Sequence, residues 1–305
     1  MPPKTEIIQK IRQLESEGFQ NPFDRVRRHY MNEMHKKEGR DLILYSTSWT
    51  VSGGGVGTSI GESDVHSFMD VIHGLDGDEL DIILHSPGGS PTATEQIVSY
   101  LRDKFDHIRI FVPQSAMSAA TLMCCAADKV IMGAHSSLGP IDPQMHLPTT
   151  PRGHSTAAFA VLDQFEMASS DIENYSDLTV WKPILDKIDP GTLAECNEAI
   201  ELSKSLAKEW AKKYMHQGKE DATETSEELA EFLSDRRAFK SHSRRIDRSQ
   251  ASNHGFEVEE LEQDDTLQDL VLSIFHSTML AHENTELIKI IENQNGRNSM
   301  VVNAG

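Results

Sequence analysis

Apolar positions fall into three regimes along the chain. Over residues 5–38 they are sparse and helically spaced. Ile8, Ile11 and Leu14 punctuate KTEIIQKIRQLESEG, and PFDRVRRHYMNEMHKKEG follows with Pro22 near its start and Gly39 after its end. This predicts two peripheral helices, forming an arm over residues 1–39 that packs on the body or on another subunit. From Arg40 onward, short continuous apolar runs alternate with helical ones. RDLILYSTSW reads as the first core strand. SDVHSFMDVIHGL reads as a helix capped by Ser63, with Val65, Phe68, Met69 and Ile72 on one face. ELDIILHS is a second strand, buried on both faces through Leu80, Ile82, Ile83 and Leu84. Pro87, Gly88 and Gly89 break it, and a helix runs from Thr92 to Leu101. HIRIFVPQS gives another strand, Met117 to Ala127 another helix, and DKVIMGAHSSLG a returning strand and turn. Strand and helix alternating at this spacing predict an α/β fold, with a mostly parallel sheet covered by helices and right-handed crossovers.

The third regime begins near Ala157 and is helical. GTLAECNEAIELSKSLAKEWAKKYMHQG predicts a long helix ending at Gly218, and TSEELAEFLSDRRAF a helix capped by Thr225 or Ser226. DDTLQDLVLSIFHSTMLAHENTELIKIIEN reads as a closing helical segment, with Leu267, Leu270, Val271, Ile274 and Phe275 on an apolar stripe. The predicted division is an arm (1–39), a core domain (40–215), a mainly helical extension (216–292) and a tail (293–305). No internal repeat is evident.

Composition narrows the function classes. The chain has 305 residues, enough for one large domain or for a domain with helical additions, and a formal net charge of −19. That charge argues against a nucleic-acid partner, which would call for a basic patch at domain scale. The local exception is RRAFKSHSRRIDR, Arg236 to Arg248, which reads as a solvated helix–loop junction or as a contact with an acidic partner or neighbouring subunit. Cys124, Cys125 and Cys196 form neither a zinc spacing nor a disulfide framework. Nothing at the N-terminus resembles a signal peptide, and no apolar run approaches about 18 residues. The expectation is a soluble, cytoplasmic chain without a membrane span.

Gly53, Gly54, Gly55 and Gly57 raise the question of a phosphate loop. The lysine and Ser/Thr of a P-loop do not follow and no GxGxxG is present, so a mobile surface loop is expected. His85, His135 and His146 lack the tight spacing of a helical metal motif, so neither metal nor cofactor is expected.

Two corners carry candidate chemistry. At LHSPGGSPTATEQ, a strand ending in Pro-Gly-Gly leaves backbone N–H groups free of the ladder. Without Cβ atoms another group can come close, so Gly88 and Gly89 form either a tight turn or an anion-stabilising one. At VPQSAMSAATLMCCAADKVIM, Ser118 opens a helix among alanines. Alone it reads as a capping or packing serine; with a base within about 3 Å it would be a nucleophile. Ser115 competes for that role but reads as a helix-entry cap.

Together the corners resemble the crotonase-like fold of the ClpP and SppA serine peptidases, and within that group the serine dehydrogenase proteinase family. SPGGS (Ser86 to Ser90) is similar to the oxyanion turn, and Ser115 to Met132 to the nucleophile helix with its return strand. SSLGPIDPQ, KIDPG and ELSKSLAKEW extend the likeness over about residues 40–292. The resemblance implies repeated β-β-α units around a mostly parallel sheet, with peripheral and C-terminal helices. It implies Ser118 as nucleophile, with an oxyanion hole from the N–H groups of Gly88 or Gly89 and of Ala119. It also implies a peptide or protein substrate and a homo-oligomer.

The base stays open. A ClpP-type enzyme places a histidine after the return strand; here Asp142 falls near that position, with His135 and His146 on either side. An SppA-type enzyme uses a lysine, but none lies between Lys129 and Lys182. Lys182, in TVWKPIL, could be desolvated by Trp181. His85 and His154 are further candidates, His85 as a residue lining the cleft. Two other readings stand beside the serine hydrolase. One is a non-catalytic interaction or assembly protein of the same fold. The other is an acyl-CoA enzyme, for which the chain shows no basic site for nucleotide phosphates.

Overall fold

A computed structural model describes residues 4–53, 55, 57–145, 155–175, 179–186, 188–235, 239 and 244–303. In chain order the elements are α1 (Lys4–Ser16), α2 (Pro22–Glu38), β1 (Asp41–Thr47), α3 (Trp49–Ser52), α4 (Glu62–Ile72), β2 (Glu79–His85), α5 (Pro91–Lys104), β3 (His107–Val112) and β4 (Ser115–Ala116). Then come α6 (Ala119–Cys125), β5 (Lys129–Met132), β6 (Ser137–Leu138), β7 (Gln144–Met145), β8 (Thr156–Ala157), α7 (Ala158–Tyr175), α8 (Lys182–Leu185), α9 (Thr192–Trp210) and α10 (Ala222–Ser234). The chain closes with β9 (Ile246–Asp247), α11 (Arg248–Asn253), β10 (Val258–Glu260), α12 (Asp265–Asn284), β11 (Leu287–Asn293) and β12 (Asn298–Val302).

The main sheet has the order β10-β5-β3-β2-β1-β11-β12. Its first five strands are parallel neighbours, and β11 and β12 add antiparallel at the other end. Alternation along the strands sets two layers. Ile43, Tyr45, Leu80, Ile82, Leu84, Ile108, Ile110, Val130 and Met132 face the core shared with α4, α5, α6 and α9. Leu42, Leu44, Ile83, Phe111 and Ile131 face the opposite core, closed by Met31 and Met34 of α2 and by Val271 and Ile274 of α12. A small second sheet, β4-β6-β9, stands where the chain leaves β3 and β5. The result is a mixed α/β architecture with a largely parallel sheet flanked by peripheral and C-terminal helices, consistent with a ClpP-like fold.

Local chemistry explains the boundaries. α2 starts at Pro22 and stops at Gly39, whose φ of 69° lets its N–H return to His35 O. α12 is capped by the Asp264 carboxylate, which accepts from Leu267 N at 2.9 Å. Three expectations are corrected. α4 begins one residue before Ser63: Gly61 is its cap, and the Asp64 carboxylate takes the Gly61 N–H at 3.0 Å. The closing helix ends at Asn284, after which Thr285 turns extended and TELIKIIEN becomes β11. The last residues, expected as a tail, supply β12, joined to β11 through Gly296 at φ 82°. Charged side chains in these strands are held inside: the buried Glu292 pairs with Arg27 and Arg28.

Candidate functional site

β2 leaves the sheet at His85, and the next residue switches partners. Ser86 N–H donates to Ser115 O at 3.2 Å, and Met117 N–H returns to Ser86 O at 3.0 Å, pairing Ser86 with β4. Gly88 then crosses directly over the residues that open α6. It sits at φ 90°, and a Cβ there would stand 2.4 Å from Met117 O and 2.7 Å from Ala119 N. Only glycine fits, because both the dihedral and the gap exclude a side chain.

Gly89 meets a different neighbour. It pairs in parallel with Ile60, with Ile60 N–H donating to Gly88 O at 2.8 Å and Ser90 N–H to Ile60 O at 2.9 Å. The Gly88 C=O and the Ser90 N–H therefore point toward Ile60. In an extended chain successive residues present their polar groups to opposite sides, so the Gly89 N–H points away from Ile60. The Gly88 N–H is engaged with Ser86 Oγ at 3.1 Å. Ser90 then caps α5, accepting from Ala93 N at 3.2 Å, with Pro91 at the first helical position.

Ser118 holds the N-cap position of α6 at φ 53° and ψ −120°, a region costly for any residue with a Cβ. Its carbonyl accepts from Leu122 N, but its hydroxyl makes no capping bond, and the side chain is half-buried. The tight packing around it is fixed by Thr121, whose hydroxyl donates to Ala116 O at 2.9 Å and accepts Gly139 N–H at 3.1 Å. The Ala119 N–H, at the first helical residue, lies outside the intrahelical ladder. Ser115, expected as a cap, instead lies buried in β4 with its hydroxyl 3.0 Å from that of Ser137.

The base candidates are distributed unevenly. Gly139 packs against Met117, beside the opening of α6, and two residues on Ile141 N–H donates to Leu233 O of α10 at 3.0 Å. Asp142 is buried and accepts from the Gln144 side chain at 3.1 Å. His146 and His154 lie outside the described residues, just beyond β7 and before β8. His135 is exposed at the end of β6 away from Gly139, next to Gly133 and Glu262. Lys182 is not desolvated: its side chain is 64% exposed and paired with Asp186 at 3.0 Å, while Trp181 gives its indole N–H to Asp171. Most of the basic run Arg236–Arg248 lies outside the described residues.

His85 does not line the cleft. It points from β2 into the α12 layer, against Trp49 and Phe275 at centroid distances of 5.8 and 5.2 Å. Its Nε2 meets Thr50 Oγ1 at 3.2 Å. Burial, and then the neighbouring His282, push its pKa down to about 3. Its ring faces the layer opposite α6, away from Ser118.

The residues behind the glycine turn carry no local signal in the sequence. Asp64 of α4 is buried and accepts from Lys289 Nζ at 2.8 and 2.7 Å, from Tyr45 OH at 2.9 Å and from Gly61 N–H. Lys289, in β11, also donates to Ser59 O at 2.8 Å. The glycine loop expected to be mobile is therefore anchored at its C-terminal end, where Ile60 is buried against Gly89. Among the described residues, no group of acids, histidines and cysteines is arranged to hold a metal ion, and no helix is long and apolar enough to cross a membrane.

Comparison with known proteins sets this corner in a family context. Residues 56–171 match the ClpP-like SDH-type serine proteinase family, which the chain resembles as a serine-protease-like hydrolase. Two uncharacterized proteins of Methanocaldococcus jannaschii, MJ0137 and MJ1495, are 46% and 39% identical over 66 residues. Each match covers 22% of this chain and 23% of the relative, so less than a quarter of either relative's length is spanned. Two solved structures of the 1510-N membrane-bound stomatin-specific protease are also similar. A serine-to-alanine mutant gives a TM-score of 0.40 at 18% identity, covering 66% of this chain and 74% of that one. A lysine-to-alanine mutant in complex with a substrate peptide gives 0.41 at 17% identity, covering 80% and 83%.

Proposed function

We propose that this protein is a serine peptidase that cleaves peptide bonds through an acyl-enzyme on Ser118. The observation that carries the reading is Ser118 itself. A serine held at φ 53°, with its hydroxyl withheld from capping and its backbone pressed against a glycine turn, is strained in a place where only chemistry rewards the strain.

An extended substrate lies along the outward side of Gly89, with its scissile carbonyl oxygen between the N–H groups of Gly89 and Ala119. Ser118 Oγ attacks the carbonyl carbon as its proton passes to the base, and the C=O electron pair moves onto the oxygen between the two donors. The tetrahedral species collapses, breaking the C–N bond, and the base returns the proton to the leaving amine. Water then adds by the same route and releases the acid. Gly88 contributes by its missing Cβ rather than by its N–H, which Ser86 holds. The segment from Asp142 to His146 supplies the base, His146 as proton acceptor and Asp142 as its orienting acid. The contact of Gly139 with Met117, three residues before Asp142, supports this, as do the exposure and ion pairing of Lys182 and the placement of His135 at the far end of β6. The protein works on peptides or proteins as a homo-oligomer in the cytoplasm. Exposed Phe165 and Met167 on α7 support assembly, and three buried free thiols suit a reducing compartment.

A second reading, a non-catalytic assembly protein, is favoured by one fact: among the described residues no side chain hydrogen-bonds to the Ser118 hydroxyl. Labelling with a fluorophosphonate probe separates the two. An adduct mapped to Ser118 by peptide mass, and lost in Ser118→Ala, is expected. A folded, assembled protein that takes no label on Ser118 supports the second reading.

A further inference from the structure

The buried groups behind the glycine turn lie one against the next. The Gly88 N–H donates to Ser86 Oγ at 3.1 Å. The Ser86 hydroxyl stands next to the Tyr45 oxygen, and burial and the Asp64 charge hold Tyr45 in its protonated form. Tyr45 OH donates to Asp64 at 2.9 Å, and Lys289 Nζ closes the chain on both Asp64 oxygens. All four side chains are buried: Ser86 and Tyr45 at 0% exposure, Asp64 at 1% and Lys289 at 3%. A buried ion pair is a poor source of net stability, because desolvation of both charges offsets their attraction. It does fix geometry, since Asp64 and Lys289 are each held by several partners and moving either strands a charge.

The same pair reaches the turn by a second route. Lys289 also holds Ser59 O, and Asp64 holds Gly61 N–H, so both neighbours of Ile60 are pinned. Ile60 is the residue whose N–H and C=O bracket Gly89. One arm therefore sets Gly88 from behind through Tyr45 and Ser86, and the other sets Gly89 from the side through Ile60. The Gly89 N–H is left aimed outward, with nowhere else to turn.

We propose that Tyr45, Asp64 and Lys289, acting through Ser86 and Ile60, are positioning residues for the oxyanion turn of the reaction assigned to Ser118. This rests on the reading of Ser118 as nucleophile. They touch no substrate; they hold the Gly89 N–H where negative charge develops. Loss of the Tyr45 hydroxyl relaxes the turn while keeping the ring, which stacks on Phe68 at 6.0 Å.

The test uses the full-length assembled protein and the variants Tyr45→Phe, Ser86→Ala and their double mutant, with Lys289→Met alongside. Peptide hydrolysis and phosphonylation of Ser118 are measured, together with hydrogen exchange of the segment containing Gly88 and Gly89. Tyr45→Phe and Ser86→Ala are each expected to lower kcat roughly 10- to 100-fold with KM nearly unchanged. The double mutant should be no worse than the poorer single one, because both cut one chain, and exchange in the turn should speed up. Tyr45→Phe keeps the ion pair, so its result stands even where Lys289→Met does not fold. If wild type labels at Ser118 and both single variants label at the wild-type rate, the positioning role is overturned and the nucleophile stands. If wild type takes no label, the nucleophile fails and this inference falls with it.

Discussion

Gly88 lies directly against Ser118: a Cβ at Gly88 would stand 2.8 Å from Ser118 Cβ, closer than real side chains come. The atoms it would strike include backbone at Met117 and Ala119, which cannot swing aside. Gly88→Ala is therefore expected to cost more than about 2 kcal/mol of stability, from the clash and the positive φ together. Urea unfolding measures this. At temperatures where the variant remains folded, Ser118 should no longer take a fluorophosphonate. A variant of wild-type stability and reactivity would show that the turn does not sit on the nucleophile.

Ser118 itself separates strain from function. Glycine adopts φ 53° and ψ −120° without a Cβ penalty, whereas alanine keeps the penalty. Ser118→Gly is expected to raise stability by about 1 kcal/mol over wild type, and Ser118→Ala to stay close to wild type. Both should lose all label. Equal stabilities for the two variants would mean that the conformation is not strained.

Much of this corner was legible because its signals are local. The continuous apolar run in ELDIILHS, the Pro-Gly-Gly break and the small residues around Ser118 each follow from sterics within a few positions, and they mark β2, the turn and α6. The C-terminal strands were misread for the opposite reason. Lys289 and Glu292 look like the wet face of a helix in LIKIIEN, yet their partners, Asp64 and Arg27, lie far away in sequence. The Asn295–Gly296 pair, a hairpin signal between two apolar runs, was the cue for β11 and β12. Lys182 shows the limit of neighbour arguments. Trp181 does follow the sequence order that would bury it, but the indole turns to Asp171 and leaves the ammonium in solvent.

The base assignment makes an asymmetric prediction. His146→Ala and Asp142→Asn should each slow phosphonylation of Ser118, His146→Ala by roughly 10²- to 10⁴-fold, the usual worth of a general base. Lys182→Ala and His135→Ala should label at the wild-type rate, because one side chain is exposed and paired with Asp186 and the other stands at the far end of β6. Rates are read by quenching the reaction with the probe at set times. Loss of labelling in Lys182→Ala alone would move the base to the SppA-type arrangement.

Acid should weaken the fold through two histidines that take no part in the proposed chemistry. His282 donates from Nδ1 to Leu287 O at 2.9 Å, and its Nε2 lies 3.2 Å from Ser46 Oγ. Burial pushes its pKa down to about 4, and burial with His282 beside it pushes that of His85 to about 3. In the unfolded chain both rings regain a pKa near about 6.5. Between about 6.5 and these folded values the unfolded state binds more protons, so stability is fully present above about pH 6.5 and falls as the pH drops toward about 4. Each ring contributes at most about 1.4 kcal/mol per pH unit in that window. Urea midpoints measured from pH 7.5 to 5 should fall steadily. His282→Asn, which keeps a donor toward Leu287 but cannot protonate, should reduce the slope. A midpoint independent of pH over that range would show that neither ring is held neutral.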